Sequence, residues 1–293
     1  MKIISASLIT AASFTATICL GIVLSGCNPP SSTAETAAII TNPQSDNSKN
    51  TKFIWSDKFT SSDWMQHWSL KKNGDWGLKN ITAIADPSGR FSKVLRVKYP
   101  GGSASPTVTR KTGAPVGGAQ FFADLGMQAQ NSLRISYYVR FSQNFDFVKG
   151  GKLPGLFGGT ATDGGEIPDG TNGFSTRYMW RTKGDGEVYA YLPTSDEHGT
   201  SIGRGNWRFK PGTWHHLEQE VILNQPGSKN GRIRVWVDGK PVLDQSNLTF
   251  RSTDKLKIEG IFFSTFFGGS ATSWATPKSV YADFADFSVS SVN

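Results

Sequence analysis

The feature that most constrains this chain is a strict alternation of apolar and polar residues, in short runs broken by Gly, Pro, Asn and Asp. Leu133, Ile135, Tyr137, Val139 and Phe141 share one parity, and Arg134, Ser136, Tyr138 and Arg140 take the other. Successive side chains of an extended strand point to opposite faces, so each such run offers one apolar face to a core. Ile233, Val235 and Val237 repeat the pattern against Arg232, Arg234 and Trp236, and that run stops at Asp238-Gly239, a turn dipeptide. Residues 218–223, 258–267 and 280–289 are predicted strands for the same reason. Only Ser61 to Trp68 carries a helical stripe, of about two turns. Many strands with short turns and no long helix predict an all-β fold, a β-sandwich of the jelly-roll form.

The alternation begins near Phe53, and the segment before it is of another kind. Met1 and Lys2 lead into an apolar stretch from Ile3 to Leu24 and then Ser25-Gly26-Cys27, the layout of a secretory leader over 1–26. Leu24-Ser25-Gly26-Cys27 resembles the bacterial lipobox, which implies a lipoprotein whose mature chain starts at a lipidated Cys27. An uncleaved membrane anchor is the rival reading of the same stretch. Asn28 after the cysteine points to the outer membrane or cell surface. Residues 27–52 are mostly small and polar and bury too little to offset their ordering entropy, so they are expected to form a flexible tether. The domain is then 53–293. Cys19 and Cys27 are the only cysteines, which excludes a disulfide scaffold.

Lys210-Pro211-Gly212-Thr213-Trp214-His215-His216, followed by strands ending in Val237-Asp238-Gly239, resembles the concanavalin A-like jelly rolls. That fold serves lectins, glycosidases and lyases alike, so chemistry must be read from a site.

The richest block is 149–193. Five glycines between Gly150 and Gly159 surround Lys152, and a phosphate loop is excluded because Gly151-Lys152 runs on into Leu153-Pro154 rather than Ser or Thr. As two strands of a hairpin, Ser175, Arg177, Met179 and Arg181 share a face with Glu187, Tyr189 and Tyr191, while Val188, Ala190 and Leu192 lie on the reverse. The segments 149–159, Phe174-Ser175-Thr176-Arg177-Tyr178-Met179-Trp180-Arg181, Val188-Tyr189-Ala190-Tyr191-Leu192-Pro193, Phe262-Phe263-Ser264-Thr265-Phe266-Phe267-Gly268-Gly269 and Tyr281-Ala282-Asp283-Phe284 together resemble polysaccharide lyase family 14. The resemblance implies β-elimination on a polyuronate, alginate or glucuronan, with Lys152, Arg177, Tyr189 and Tyr191 as catalytic residues. Ser175, Lys149, Arg181 and His198 are the expected substrate-binding residues.

The residue types suit that chemistry. Removing the C5 proton of a uronate adds negative charge beside a carboxylate, so a cation against that carboxylate acts where charge grows. The planar fork of Arg177 fits a carboxylate bidentately. Lys152 or Tyr191 can serve as base where neighbouring cations favour the deprotonated form; which of them is base and which acid stays open. At least one of His215 and His216, beside a strand start, is read as structural.

Other classes fit less well. Asp196-Glu197 are adjacent, hence on opposite faces of a strand, and no run supplies a glycosidase carboxylate pair. No His or Cys motif for a catalytic metal is present and no cofactor is expected; a structural calcium, common in jelly rolls, is left open. Of 31 basic side chains only Lys2 lies in the leader, so the net charge of +8 belongs almost wholly to residues beyond it. No basic run or nucleic-acid module accounts for it, whereas an anionic polysaccharide partner does. Lys149, Lys152, Arg177, Arg181 and Lys183 gather in the block that holds the tyrosines. A monomer is expected, with a membrane contact through the lipid at Cys27. The alternative is a non-catalytic glycan-binding lipoprotein on the same fold.

Overall fold

The computed structural model describes residues 51–292. The leader at 1–26, Cys27 and the tether up to residue 50 lie outside the described residues. In chain order the elements are β1 (Thr51–Asp57), α1 (Trp64–His67), β2 (Ile81–Ala85), β3 (Lys93–Tyr99), α2 (Pro106–Thr112), β4 (Ala119–Ala123), β5 (Ser132–Phe141), β6 (Gly150–Gly159), β7 (Gly173–Arg181), β8 (Gly186–Tyr191), β9 (Thr200–Ile202), β10 (Trp214–Ile222), β11 (Gly231–Val237), β12 (Lys240–Leu248), β13 (Gly260–Thr265) and β14 (Val280–Val292).

Two antiparallel sheets stack as the alternation requires. The first runs β12-β11-β10-β5-β14-β3-β2, with β1 also pairing β14, and the second runs β4-β13-β6-β7-β8-β9. Leu133, Ile135, Tyr137, Val139 and Phe141 are all fully buried, and they face Phe174, Tyr178 and Trp180 of the second sheet across one aromatic-rich core. Polar side chains also span the layers. The Tyr137 hydroxyl donates to the Pro154 carbonyl at 3.0 Å. The Thr176 hydroxyl donates to Gln219 Oε1 at 2.6 Å, and Gln219 Nε2 returns a bond to the Thr176 carbonyl at 2.8 Å.

The β11–β12 hairpin turns at Asp238-Gly239, both at positive φ (54° and 75°), the backbone of a type I′ turn. His215 is the structural histidine: its Nε2 accepts from the Lys210 amide at 2.9 Å, and its Nδ1 meets Asp238 Oδ2 at 3.0 Å. The first strand starts at Thr51, two residues before the expected boundary, because the β14 register extends to Val292 opposite Thr51. The stripe at 61–68 yields only the four residues of α1. The short helix α2 was not expected, although its signals are present: the Ser105 side chain accepts from the Val108 amide, Pro106 opens the first turn, and Gly113 at φ 71° closes the last.

One irregularity positions the site. In β6 the register against β7 shifts between Leu153 and Gly155, so Lys152 opposite Met179 and Phe157 opposite Ser175 reach the same face despite opposite parity. Gly155 is required there, since a Cβ would lie 2.3 Å from the Thr176 carbonyl oxygen.

Candidate active site

The outer face of the second sheet, away from the core, carries the predicted residues. Arg177 pairs with Tyr189, Ser175 with Tyr191 and Met179 with Glu187 in the β7–β8 register, as the hairpin parity requires. Lys152 Nζ lies 4.2 Å from the Tyr189 ring centre and 3.1 Å from Met179 Sδ. The two tyrosine rings meet edge to face at 5.8 Å. Their backs are held by the loop after β8, where a Cβ on Gly199 would come within 2.8–2.9 Å of both rings.

Arg177 is 1% exposed. Its guanidinium sits 4.5 Å from the Phe262 ring centre and 5.7 Å from that of Tyr191. Nη1 donates to Ser264 Oγ at 3.1 Å, and Ser264 donates to Gln120 Oε1 at 3.1 Å, so a chain of bonds from β7 through β13 to β4 fixes its angle. Asp163 Oδ2 is 3.7 Å from Nη1.

These surroundings set the protonation states. Burial, and then the nearby charges of Arg177 and Arg181, push the Lys152 amine well below its ordinary 10.5. Burial, and then the proximity of Tyr191, push Tyr189 up to about 12. Arg177 is lowered by burial too, but a guanidinium has so basic a starting point that it stays charged. The site therefore offers a fixed cation, an amine biased toward its neutral form and a phenol that keeps its proton.

Arg181 joins the site through a group not singled out from the sequence. Its Nε donates to Glu187 Oε1 at 2.7 Å, and Arg204 Nε donates to Oε2 of the same fully buried carboxylate at 2.6 Å. Arg181 thereby lies 5.4 Å from the Tyr189 ring centre. Three other expected residues are placed differently. Ser175 is on the right face but fully buried, its hydroxyl donating to the Thr162 carbonyl at 2.7 Å, so it is not presented to solvent. Lys149 lies one residue before β6, exposed, and donates to Ser273 Oγ at 2.8 Å instead of joining the cluster. His198 is exposed in the loop after β8, with no hydrogen bond to the site among the described residues. Gln120, Ser264, Glu187 and Arg204 were missed. Glu187 shares the parity of the tyrosines and Ser264 falls inside a recognised motif, so both carried a signal; Gln120 and Arg204 carried none. Among the described residues no three His, Cys, Asp or Glu side chains gather to hold a metal ion.

Comparison with known proteins gives the family and the fold. The sequence model of the family polysaccharide lyase 14 matches residues 88–287. Among solved structures, the chain is similar to the marine PL-14 alginate lyase from Aplysia kurodai, with 33% identity, a TM-score of 0.70, and coverage of 81% of this chain and 98% of that one. It is also similar in fold to the alginate lyase vAL-1 from Chlorella virus (24% identity, TM-score 0.65, 77% and 93% covered). A third similar fold is the alginate lyase Aly36B (22% identity, TM-score 0.65, 82% and 96% covered). No curated protein matches the chain.

Proposed function

The chain belongs to the polysaccharide lyase 14 family, and from that premise we propose that it cleaves a linear polyuronate, alginate first among them, with Lys152 as the base. The observation that carries this reading is the half-buried Lys152, its amine biased to the neutral form, on one face with the fixed cation of Arg177. Alginate comes first because the relative from Aplysia kurodai, 33% identical, is an alginate lyase.

In the proposed reaction the Arg177 guanidinium pairs with the uronate carboxylate and offsets the charge that grows as C5 loses its proton. The C5–H bond breaks toward Lys152 Nζ, its electron pair becomes the second bond of C4=C5, and the C4–O4 bond breaks. Tyr191 gives its proton to the departing O4. Tyr189, still protonated at neutral pH, donates a hydrogen bond that positions the sugar. The products are a new reducing end and an unsaturated uronate. We place this activity at the cell envelope, on a lipid anchor at Cys27, on the strength of Leu24-Ser25-Gly26-Cys27 behind an apolar stretch. Loss of membrane fractionation in Cys27→Ala would support that placement.

The test is the ultraviolet absorbance of the C4=C5 product during incubation with alginate, polymannuronate and glucuronan. Wild type should produce it on at least one polymer, and Lys152→Ala should be slower by about 10²–10⁴-fold, the usual range for loss of a general base. Binding without any absorbance on all three polymers sinks the elimination mechanism.

A further inference from the structure

Arg177 presents a contradiction that the other arginines of the protein do not. In the proposed reaction it meets a carboxylate from outside, yet it is 1% exposed, set between the rings of Phe262 and Tyr191 with Asp163, from the segment 160–172 between β6 and β7, against it. Two contacts come from consecutive residues of that segment: the Thr162 carbonyl accepts from Ser175, and the Asp163 carboxylate faces Arg177. Of the three β7 residues expected to touch the sugar, Ser175 and Arg177 are thus engaged by one loop, and Arg181 is held instead by Glu187.

Of the two engagements, Ser175 to Thr162 is well made at 2.7 Å, whereas Asp163 to Arg177 is looser than the tight ion pairs of the protein. Arg96 grips Asp283 bidentately at 2.7 and 2.9 Å, and Arg181 and Arg204 hold Glu187 at 2.7 and 2.6 Å. Asp163 stands 3.7 Å from Arg177, beyond hydrogen-bond range, and Arg177 Nε is buried with no hydrogen-bond partner among the described residues. A guanidinium has five N–H donors, and here only the bond to Ser264 is well made. A carboxylate free to settle its own geometry would satisfy this fork better than Asp163 does.

The segment is built to give way at that point. Its base is tied down: Thr160 and Ala161 amides donate to the Asn172 carbonyl at 2.7 and 3.2 Å, and the Ser252 amide donates to the Gly170 carbonyl at 2.8 Å. From Asp163 to Pro168 no hydrogen bond joins the segment to the rest of the described protein. Gly164 and Gly165 follow Asp163 at φ 71° and 86°, with open space at the first and only the Glu197 carbonyl, 3.9 Å away, at the second. Asp163 itself is 33% exposed.

We propose that Asp163 is an internal stand-in for the uronate carboxylate: it holds Arg177 in place until a sugar carboxylate displaces it and takes the guanidinium. Asp163 is then a positioning and specificity-determining residue, because only an anion competes for its place, and displacement moves the tip of the loop off the sugar site. This rests on the polyuronate reading above. A neutral side chain at 163 leaves nothing to displace, so the substrate should bind more tightly with turnover unchanged.

The experiment compares Asp163→Asn, Asp163→Glu and wild type in alginate and glucuronan cleavage, and measures by calorimetry the binding of alginate and glucuronan trisaccharides to Lys152→Ala with and without Asp163→Asn. Asp163→Asn is expected to lower KM and the trisaccharide Kd by about two- to fivefold, the scale of a partly exposed ion pair, with kcat held and the melting temperature unchanged. Asp163→Glu should stay close to wild type. An unchanged or raised Kd, a fall in kcat, or a lowered melting temperature would make Asp163 a structural residue and overturn the displacement. Failure of every form to bind either uronan would instead overturn the polyuronate reading, and this inference with it.

Discussion

A lysine removes a proton only as the neutral amine, and Lys152 is biased toward that form because burial and two arginines disfavour its charge. Cleavage should therefore rise with pH along a limb centred below the ordinary 10.5, and Lys152→Arg, which stays charged, should abolish the limb; a limb that survives unchanged in that variant assigns the base elsewhere. The same shift has a cost in stability whose sign is determined. Between the folded-state value and 10.5 the unfolded chain binds the proton and the folded chain does not, so stability rises with pH through that window and is lost as pH falls through it. Lys152→Met keeps the side-chain length beside Met179 without the charge. It should melt at a higher temperature than wild type at neutral pH and lose the pH dependence, while elimination falls by about 10²–10⁴-fold. A lower melting temperature for Lys152→Met at neutral pH would contradict a buried, charge-disfavouring environment. Arg177→Lys tests the other half of the site: a point charge replaces a planar fork, and activity should fall although the sign of the charge is kept.

At the level of elements, the β7–β8 hairpin was legible because local alternation fixes which side chains share a face, and Arg177 opposite Tyr189 follows from it. The neighbours across the sheet were not. Ser264 and Gln120 reach Arg177 only because β13 lies between β6 and β4, a long-range pairing that no local period encodes. The burial of Ser175 was hidden for a related reason, since it depends on where the segment 160–172 folds back. Lys152 reaches the site face through the irregularity at Pro154, which breaks the parity on which strand reading depends. Two substitutions probe these placements. Gly199→Ala would press a methyl into both tyrosine rings, so it should depress kcat with little change in melting temperature, because the loop is at the surface. In the core, Gln219→Ala strips the Thr176 hydroxyl and carbonyl of a fully buried partner between the sheets. It should lower unfolding free energy by about 1–3 kcal/mol in a denaturant titration, and a neutral result would mean the two sheets do not depend on that tie.

Over the whole molecule the charge is unevenly used. Lys2, Lys49, Glu35 and Asp46 are the charges of the first fifty residues and cancel, so the net charge of +8 resides in the part from Thr51 onward. On the outer face of the first sheet, four arginines are matched by four acids: Arg96 and Arg140 meet Asp283 and Asp86, and Arg134 and Arg234 meet Glu220 and Glu218. At the candidate site, among the described residues, Lys152, Arg177, Arg181 and Arg204 face Glu187 and Asp163. Once Lys152 is neutral, three guanidiniums still outweigh two carboxylates, so one positive charge of the excess stands where a polyanion would bind. Such attraction is screened over about 8–10 Å at ordinary ionic strength. KM for a long polyuronate should therefore rise with added salt while kcat holds, and the rise should be smaller for a trisaccharide, which carries fewer charges into the field. Arg204→Gln, which removes a half-exposed site cation, should flatten the salt dependence, whereas Lys98→Gln on the exposed face of β3 should leave it as it is. Equal effects from the two substitutions would mean that net charge alone, rather than its concentration beside the tyrosine pair, brings the polymer to the enzyme.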